Sequence, residues 1–168
     1  GVSKVAAEYY LATLGTLYNI ETVSLRVFNA YGPSQDLPPS YPPVIPQLLK
    51  QAQTGGSLVI FGEGTQTRDF VFLDDVVDAL VAAATATDVN RAVINVGSGR
   101  EISINDLAGC VARVSGQRIS VLHNQGQEGG VSRLVADVGL AQDLLGWAPS
   151  TELEEGLRLT MERDRRFQ

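Results

Sequence analysis

Apolar and polar residues alternate along the chain with two different periods, which predict helices and strands. Apolar side chains at helical spacing predict amphipathic helices, over residues 2–18, 44–54, 74–86, 103–115, 137–145 and 151–165. Alternating or β-branched segments predict strands, over residues 22–28, 58–61, 68–72, 92–96 and 118–122. Because strands and helices follow one another, we expect an α/β chain whose sheet is partly parallel.

The ends of the predicted helices carry residues that are typical of helix caps. Asp74 and Asp137 stand at expected N-caps, and Ser103 and Thr151 each begin a sequence typical of a capping box. Gly146 stands where a left-handed residue would end a helix. These residues place the helix boundaries within the periodic segments.

Two segments fall outside the periodic pattern. Residues 29–43 are dense in proline, which predicts an irregular loop, and a loop of this length in a compact chain is typical of a functional or flexible segment. The charged run 162–166 follows the last apolar positions, so we interpret it as a solvated helix face.

Composition limits the classes of protein to which the chain can belong. The chain has 168 residues, 44% of them hydrophobic and 19% charged, which predicts one globular domain. A net charge of −6 without a basic block argues against nucleic-acid binding. Neither a bilayer-spanning apolar stretch nor a signal peptide is recognisable. Cys110 is the single cysteine and His123 the single histidine, so an internal disulfide and a Cys/His zinc cluster are excluded. We expect a cytoplasmic protein without nucleic-acid or membrane partners.

Six short motifs stand in one order along the chain. They are Arg-Val-Phe-Asn-Ala-Tyr-Gly-Pro at 26–33, Ile-Phe-Gly-Glu-Gly at 60–64, Arg-Asp-Phe-Val-Phe-Leu-Asp-Asp at 68–75, Asn-Val-Gly-Ser-Gly at 95–99, Ala-Asp at 136–137 and Leu-Gly-Trp-Ala-Pro at 145–149. In this order and spacing the set resembles the C-terminal part of the NAD(P)-dependent sugar-nucleotide epimerase/dehydratase family, the extended short-chain dehydrogenases. It is most similar to the UDP-glucose 4-epimerase-like branch, and the resemblance covers essentially the whole chain.

The resemblance implies an α/β fold that is the C-terminal half of a Rossmann-type extended short-chain dehydrogenase, with its smaller substrate-binding α/β domain. Residues 1–28 would be the end of a nucleotide-binding core that is truncated upstream. Residues 29–168 would form mainly the sugar-nucleotide domain, with residues 74–97 packing back on the core.

The first residues resemble the end of the family's catalytic Tyr-x-x-x-Lys signature. The tyrosine would be the residue just before Gly1, and the Gly-rich cofactor loop would also lie upstream. Lys4 matches the lysine that holds the nicotinamide ribose and lowers the pKa of the tyrosine, and Ser3 is expected to contact the cofactor with it. Read without the resemblance, Lys4 is an exposed lysine in the first turn of a helix.

Two polar residues are expected to contact the substrate diphosphate. The resemblance places Asn29 and Arg68 there, and a guanidinium suits a diphosphate because it donates bidentately. Asn29 could instead cap the following turn, and Arg68 could instead pair with Asp69, Asp74 or Asp75.

Three further positions match the substrate pocket of the family. Phe61 stands where an aromatic ring packs beside the nucleotide base, although plain core packing would explain it equally well. Val44 begins a helix whose backbone faces the base. Gln127 stands where the family usually has a second phosphate-binding arginine, so either Arg133 takes over, or the phosphate contact is weaker, or the substrate differs.

The implied activity is a sugar-nucleotide epimerase or dehydratase that uses NAD, or NADP, to oxidise and re-reduce the sugar. The implied partner is a nucleoside-diphosphate sugar, and the present residues alone are expected to be inactive and to bind no cofactor. The alternative is a stand-alone nucleotide-sugar-binding or self-associating module from a truncated gene. The apolar face of residues 2–18 predicts a homodimer or a higher homo-oligomer.

Overall fold

The computed structural model describes residues 1–126 and 131–168. Helices and strands alternate through most of this part of the chain. In order, the elements are α1 (Val2–Tyr18), β1 (Val23–Val27), β2 (Asn29–Tyr31), α2 (Val44–Gln53), β3 (Leu58–Phe61), β4 (Thr67–Arg68), β5 (Phe70–Phe72), α3 (Leu73–Thr85), β6 (Ala92–Val96), β7 (Ile102–Ser103), α4 (Ile104–Ser115), β8 (Val121–Asn124), β9 (Arg133–Leu134), α5 (Gly139–Leu145), α6 (Leu153–Arg163) and a 3₁₀ turn at Arg165–Phe167.

Most strand pairs are parallel, as the alternation of helices and strands predicts. β1 pairs with β6, β2 with β5, and β3 with β8, all in parallel. β4 lies between antiparallel β7 and parallel β9. The carboxyl ends of β1 and β6 therefore lie at the same edge, where open α/β sheets usually bind their ligands.

The buried apolar residues form two clusters. One lies between β1, β6, α3 and α5 and has Ile94, Val96 and Trp147 at its centre. The other, larger cluster joins α2, α4 and α6 to β2, β3 and β5. β2 and β5 pass between the clusters, so residues at the ends of these strands are held from both sides.

Residues 29–43 are less irregular than their prolines predict, because Asn29–Tyr31 forms β2 on β5. The predicted strand 68–72 is divided, since Asp69 separates β4 from β5 and the two belong to different sheets. The predicted strand 118–122 lies at 121–124 instead. Strand pairing between distant segments explains all three differences, and no local pattern encodes it.

The predicted caps have mixed outcomes. The Ser103 hydroxyl accepts from the backbone N–H of Asp106, and Gly146 is left-handed at φ 60°, so both predictions are confirmed. Asp137 accepts from the N–H of Gly139, but Val138 rather than Asp137 is the N-cap of α5, so this prediction is one residue off. The predictions for Asp74 and Thr151 are wrong, because α3 begins after Phe72 and α6 after Glu152, neither with a side-chain cap.

Asp75 on α3 binds the segment that precedes α6. Its buried carboxylate accepts from the N–H and hydroxyl of Ser150 and from the N–H of Thr151. Its backbone carbonyl accepts from the indole N–H of Trp147, at 3.0 Å. A carboxylate on α3 therefore holds the segment that leads into α6.

Within residues 1–126 and 131–168, no helix combines the length and apolar character needed to cross a bilayer.

Candidate functional site

A cavity of about 160 Å³ opens where β2, β5 and the start of α2 meet. Its lining residues are Asn29, Ala30, Tyr31, Gln35, Pro43, Val44, Ile45 and Phe70. Asn29 and Val44, two residues expected to contact the substrate, thus share one cavity. The pairing of β2 with β5 explains this, because it places Asn29 opposite Phe70.

Asn29 is fixed by the residue that follows Arg68. Its side-chain Nδ2 and its backbone N–H both donate to the carbonyl of Asp69, at 2.9 and 3.3 Å. Because the Asp69 carbonyl is an acceptor, the NH₂ group of the Asn29 amide must face it. This orientation leaves the Oδ1 atom and the second N–H of the amide for other partners.

Asp69 joins Asn29 to the end of the sheet. Its fully buried carboxylate accepts from the N–H and hydroxyl of Ser98, both at 2.6 Å, and from the N–H groups of Gly99 and Ala136. A buried carboxylate needs several donors of this kind to offset its desolvation. Asp69 therefore ties the loop after β6 and the segment after β9 to the strand that carries Arg68.

Arg68 is held in one orientation rather than extended into solvent. Its Nη1 donates to the carbonyls of Thr67 and Val131, both at 2.7 Å. The carboxylates of Asp74 and Asp75, suggested above as its alternative partners, bind Arg163 and the Ser150 segment. Through Asp69, Arg68 is one residue from the carbonyl that orients Asn29.

The structure places the other expected site residues apart from this cavity. Phe61 ends β3 and is half-buried, and it is absent from the residues that line the cavity. Lys4 and Ser3 lie exposed on the first turn of α1. Gln127 lies outside the described residues. Arg133, the suggested substitute for Gln127, forms an exposed ion pair with Glu101 at 2.9 Å.

Gln35 is the residue of this cavity that the sequence interpretation missed. Its Nε2 donates to the carbonyl of Ala30 at 3.1 Å, so its Oε1 is turned the other way. Within the described residues, that Oε1 is buried and accepts no hydrogen bond. An amide inside the proline-rich loop, six residues after Asn29, was the signal that could have identified it.

Tyr31 is part of the cavity wall and has a structural role there, not that of a base. It is buried, and its hydroxyl donates to the carbonyl of Leu153 at 3.3 Å. Burial, with Asp75 and Glu152 nearby, raises the pKa of Tyr31 above its ordinary value. The phenol therefore stays protonated at neutral pH.

Cys110 and His123 both lie outside the lining of the cavity. Cys110 is buried, as expected, and burial raises the pKa of its thiol. His123 is exposed and shares a hydrogen bond with Asn105. Across residues 1–126 and 131–168, no group of His, Cys, Asp and Glu side chains is arranged to hold a metal ion.

A larger cavity, of about 230 Å³, lies beyond Phe70, which forms a wall of both cavities. It is bounded by Ile102, Leu153 and the exposed ion pair between Arg100 and Glu152. None of the expected substrate residues lines it. The smaller cavity is therefore the candidate site.

Sequence comparison shows to which family the chain belongs. The sequence profile of the NAD dependent epimerase/dehydratase family matches residues 1–97, which contain Lys4, Asn29, Val44 and Arg68. The chain belongs to the NAD-dependent epimerase/dehydratase family. The family resemblance of the motifs and the expected Rossmann-type α/β fold are thereby confirmed.

Curated relatives in this family act on sugar nucleotides. The chain is 35% identical over 159 residues to the UDP-glucose 4-epimerase of Mycolicibacterium smegmatis. This match covers 95% of this chain and 50% of that protein. It is 31% identical over 157 residues to the dTDP-L-rhamnose 4-epimerase of Burkholderia thailandensis, covering 94% of this chain and 43% of the relative. The chain spans about half the length of the curated relatives it matches.

Solved structures show the same fold. A UDP-glucose 4-epimerase from Thermotoga maritima with UDP-glucose matches with a TM-score of 0.90 and 33% identity, over 97% of this chain and 52% of that chain. A UDP-glucuronic acid 4-epimerase from Bacillus cereus, in complex with UDP-glucuronic acid and NAD, matches with a TM-score of 0.84 and 32% identity, over 95% and 50% of the two chains.

Proposed function

We propose that this chain forms the sugar-nucleotide side of the active site of an NAD-dependent epimerase or dehydratase. The observation that carries the proposal is the cavity between β2, β5 and α2, which unites the side chains of Asn29 and Gln35 with the start of α2 at Val44. The bond to the Asp69 carbonyl leaves the Oδ1 atom and the second N–H of the Asn29 amide for a hydroxyl of a bound sugar nucleotide. The ligands of the related structures, UDP-glucose and UDP-glucuronic acid, carry such hydroxyls.

Two fixed polar groups support diphosphate binding: Asn29, which lines the cavity, and Arg68, which is not among the lining residues but is joined to Asn29 through Asp69. Arg68 is held by two carbonyls and Asn29 by one, so neither side chain has to be ordered when a ligand arrives. Groups that are oriented before binding lose little entropy on binding. We assign the diphosphate to Asn29 and Arg68, and the nucleotide side of the pocket to Val44 and Phe61, with Gln127 beside the phosphates.

The residues present also fit the cofactor of the family. Lys4 offers an exposed ammonium on the first turn of α1, and an ammonium can donate to ribose hydroxyls. We assign Lys4 and Ser3 to this contact. NAD, when bound, would accept a hydride from the sugar and return it.

Calorimetric titration of UDP-glucose into the chain tests the proposal. We expect measurable binding by the wild type and at least a roughly tenfold loss in Arg68→Ala and Asn29→Ala, since charge-assisted hydrogen bonds to phosphate are lost. Arg100→Ala is the matched control, because Arg100 lies in the exposed ion pair of the other cavity. Absence of binding by the wild type, or unchanged affinity in Arg68→Ala, would overturn the proposal.

A second property, self-association, is supported by the surface of α1. Its apolar side chains face solvent, with Val2 88%, Leu17 71% and Tyr9 72% exposed. Contiguous apolar surface of this kind is typical of an interface. We propose that α1 forms a contact between two copies of the chain.

Sedimentation velocity over a hundredfold concentration range tests the self-association. We expect the wild type to shift toward a dimer, and Tyr9→Glu to remain a monomer because a charge would be desolvated in the contact. Glu155→Gln on α6 is a control at an exposed position. A wild type that stays monomeric at every concentration contradicts this proposal.

Two expectations from the sequence stay predictions. One is the division of the chain at residue 28 into a cofactor core and a sugar-nucleotide domain. The other is a cytoplasmic location.

A further inference from the structure

The charged C-terminal run is exposed, as its sequence suggests, except at Asp164. Asp164 is only 3% exposed and follows the last residue of α6. Its carboxylate accepts from the backbone N–H of Arg166 at 3.0 Å and from the guanidinium of the same residue at 2.6 Å. These bonds to Arg166 hold the pKa of Asp164 well below its usual range.

Asp164 also reaches a residue 130 positions earlier in the chain. Its Oδ2 accepts the backbone N–H of Ser34 at 2.7 Å. Ser34 has a φ of 63°, a left-handed conformation that a non-glycine residue adopts at a cost unless its surroundings hold it. The Asp164 carboxylate supplies such a hold.

The residue after Ser34 is Gln35, which lines the candidate site. A change in the backbone at Ser34 would turn the whole Gln35 side chain, since the two residues share a peptide unit. The bond from Gln35 Nε2 to the carbonyl of Ala30 could not then be kept at its 3.1 Å length. We therefore expect the position of Gln35 in the cavity wall to depend on Asp164.

The same C-terminal turn supports the opposite wall of the cavity. Phe167 is buried in the larger apolar cluster with Ile45, and the turn packs on α2. Ile45 and Val44 line the cavity from the start of α2. One short segment thus braces the Gln35 loop through a hydrogen bond and α2 through apolar contact.

We propose that Asp164 is a positioning residue of the sugar-nucleotide site: it fixes the backbone of Ser34 and thereby holds Gln35 in the wall of the cavity that Asn29 also lines. The identity of the ligand in this inference rests on the proposed function. The role of Asp164 in holding the Ser34–Gln35 segment rests on the structure alone. Asp164 makes no contact with the ligand in this scheme and acts only through the Ser34–Gln35 segment.

The loop is tested first, without ligand, by amide hydrogen exchange measured with NMR. We expect exchange at the Ser34 amide to become at least about tenfold faster in Asp164→Ala, because the acceptor of its hydrogen bond is removed. Asp164→Asn keeps an acceptor oxygen and should stay within about threefold of the wild type. Glu162→Ala, on the last turn of α6, is the control. Unchanged exchange in Asp164→Ala overturns the proposal.

The link to the site is tested by titrating UDP-glucose into the same variants. We expect Asp164→Ala to weaken binding about tenfold and Asp164→Asn to restore most of the affinity. In a Gln35→Ala background, Asp164→Ala should cause no further loss, since its route to the ligand is already removed. Equal losses in both backgrounds would mean a general structural role and would overturn the proposal.

The two measurements separate the failure of this inference from that of the proposed function. If the wild type fails to bind UDP-glucose, the proposed function fails, and Ser34 exchange still decides whether Asp164 holds the loop. If the wild type binds and Asp164→Ala binds equally well, the proposed function stands and the positioning role is wrong.

Discussion

The helices α1 and α6 make opposite use of their apolar residues. In α6, Leu157 is fully buried in the larger cluster, and Gly156 packs against Tyr31. In α1, Gly15 is buried while Leu17 and Tyr9 remain about three-quarters exposed. Both helices are regular, so regularity alone says little about which helix has its packing partner within the chain.

The difference has a physical origin in what holds each helix. α6 is fixed at its start by the Asp75 carboxylate that binds Thr151 and Ser150, and at its end by Asp164. α1 is joined to β1 by the exposed ion pair between Glu8 and Arg26, and exposed pairs of this kind contribute little. We therefore expect α6, rather than α1, to carry the stability of the chain.

The largest effect is expected from Leu157→Ala in α6. The substitution leaves a cavity in the core and should lower the free energy of unfolding by about 2–5 kcal/mol. Leu17→Ala in α1 is the matched variant and should change it by less than about 0.5 kcal/mol, since Leu17 is exposed. Urea unfolding followed by circular dichroism measures both. Similar losses in the two variants would contradict the comparison.

A smaller loss is expected from Gly156→Ala. A Cβ at this position would overlap the Tyr31 hydroxyl and press on the ring of Phe72. Both neighbours are buried, so the overlap should lower the free energy of unfolding by about 1–3 kcal/mol despite the better helix propensity of alanine. Thermal unfolding of this variant, with Gly109→Ala in α4 as a control in a roomier place, measures the effect. A gain in stability at position 156 would show that Tyr31 yields.

The sequence predicted the helices well because their periodicity is local. The helix at 44–54 is present at Val44–Gln53, and Ser103 caps α4 as its spacing predicts. The family motifs also singled out Asn29 and Arg68 as substrate contacts, which stays a prediction, and the structure joins the two residues through Asp69. These features depend on residues close together in the chain or on the order of short motifs.

The rest could not be predicted, because it depends on contacts between distant residues. Asp75 binds Ser150 across 75 positions, and Asp164 binds Ser34 across 130. In a sequence, both carboxylates look like ordinary charged residues of a helix end. Only the fold shows that each is buried among backbone donors, and only the fold places Gln35 in a cavity.

A still smaller loss of stability is expected from changes at the starts of α4 and α6. Ser103→Ala removes a side-chain cap and should lower the free energy of unfolding by about 1 kcal/mol. Thr151→Ala should change it by less than about 0.5 kcal/mol, because the Asp75 carboxylate binds the backbone N–H of residue 151. Chemical unfolding of the two variants side by side decides between the two kinds of helix start. An equal loss in Thr151→Ala would restore a capping role for its hydroxyl.

The last effect, and the one that compares α1 with α6 most directly, is the response of each helix to acid. Hydrogen bonds with Arg166 lower the pKa of Asp164, and those with Arg26 lower the pKa of Glu8. A carboxylate with a lowered pKa stabilises the folded state above its unfolded pKa, near 4, and loses that contribution as pH falls further. Asp164 is buried and Glu8 pairs at the surface, so the acid loss should come mainly from Asp164. Unfolding measured between pH 5 and pH 2 should therefore show a flatter acid slope in Asp164→Asn and a nearly unchanged slope in Glu8→Gln. If Glu8→Gln flattens the slope more, the ion pair of α1 contributes more than its exposure suggests.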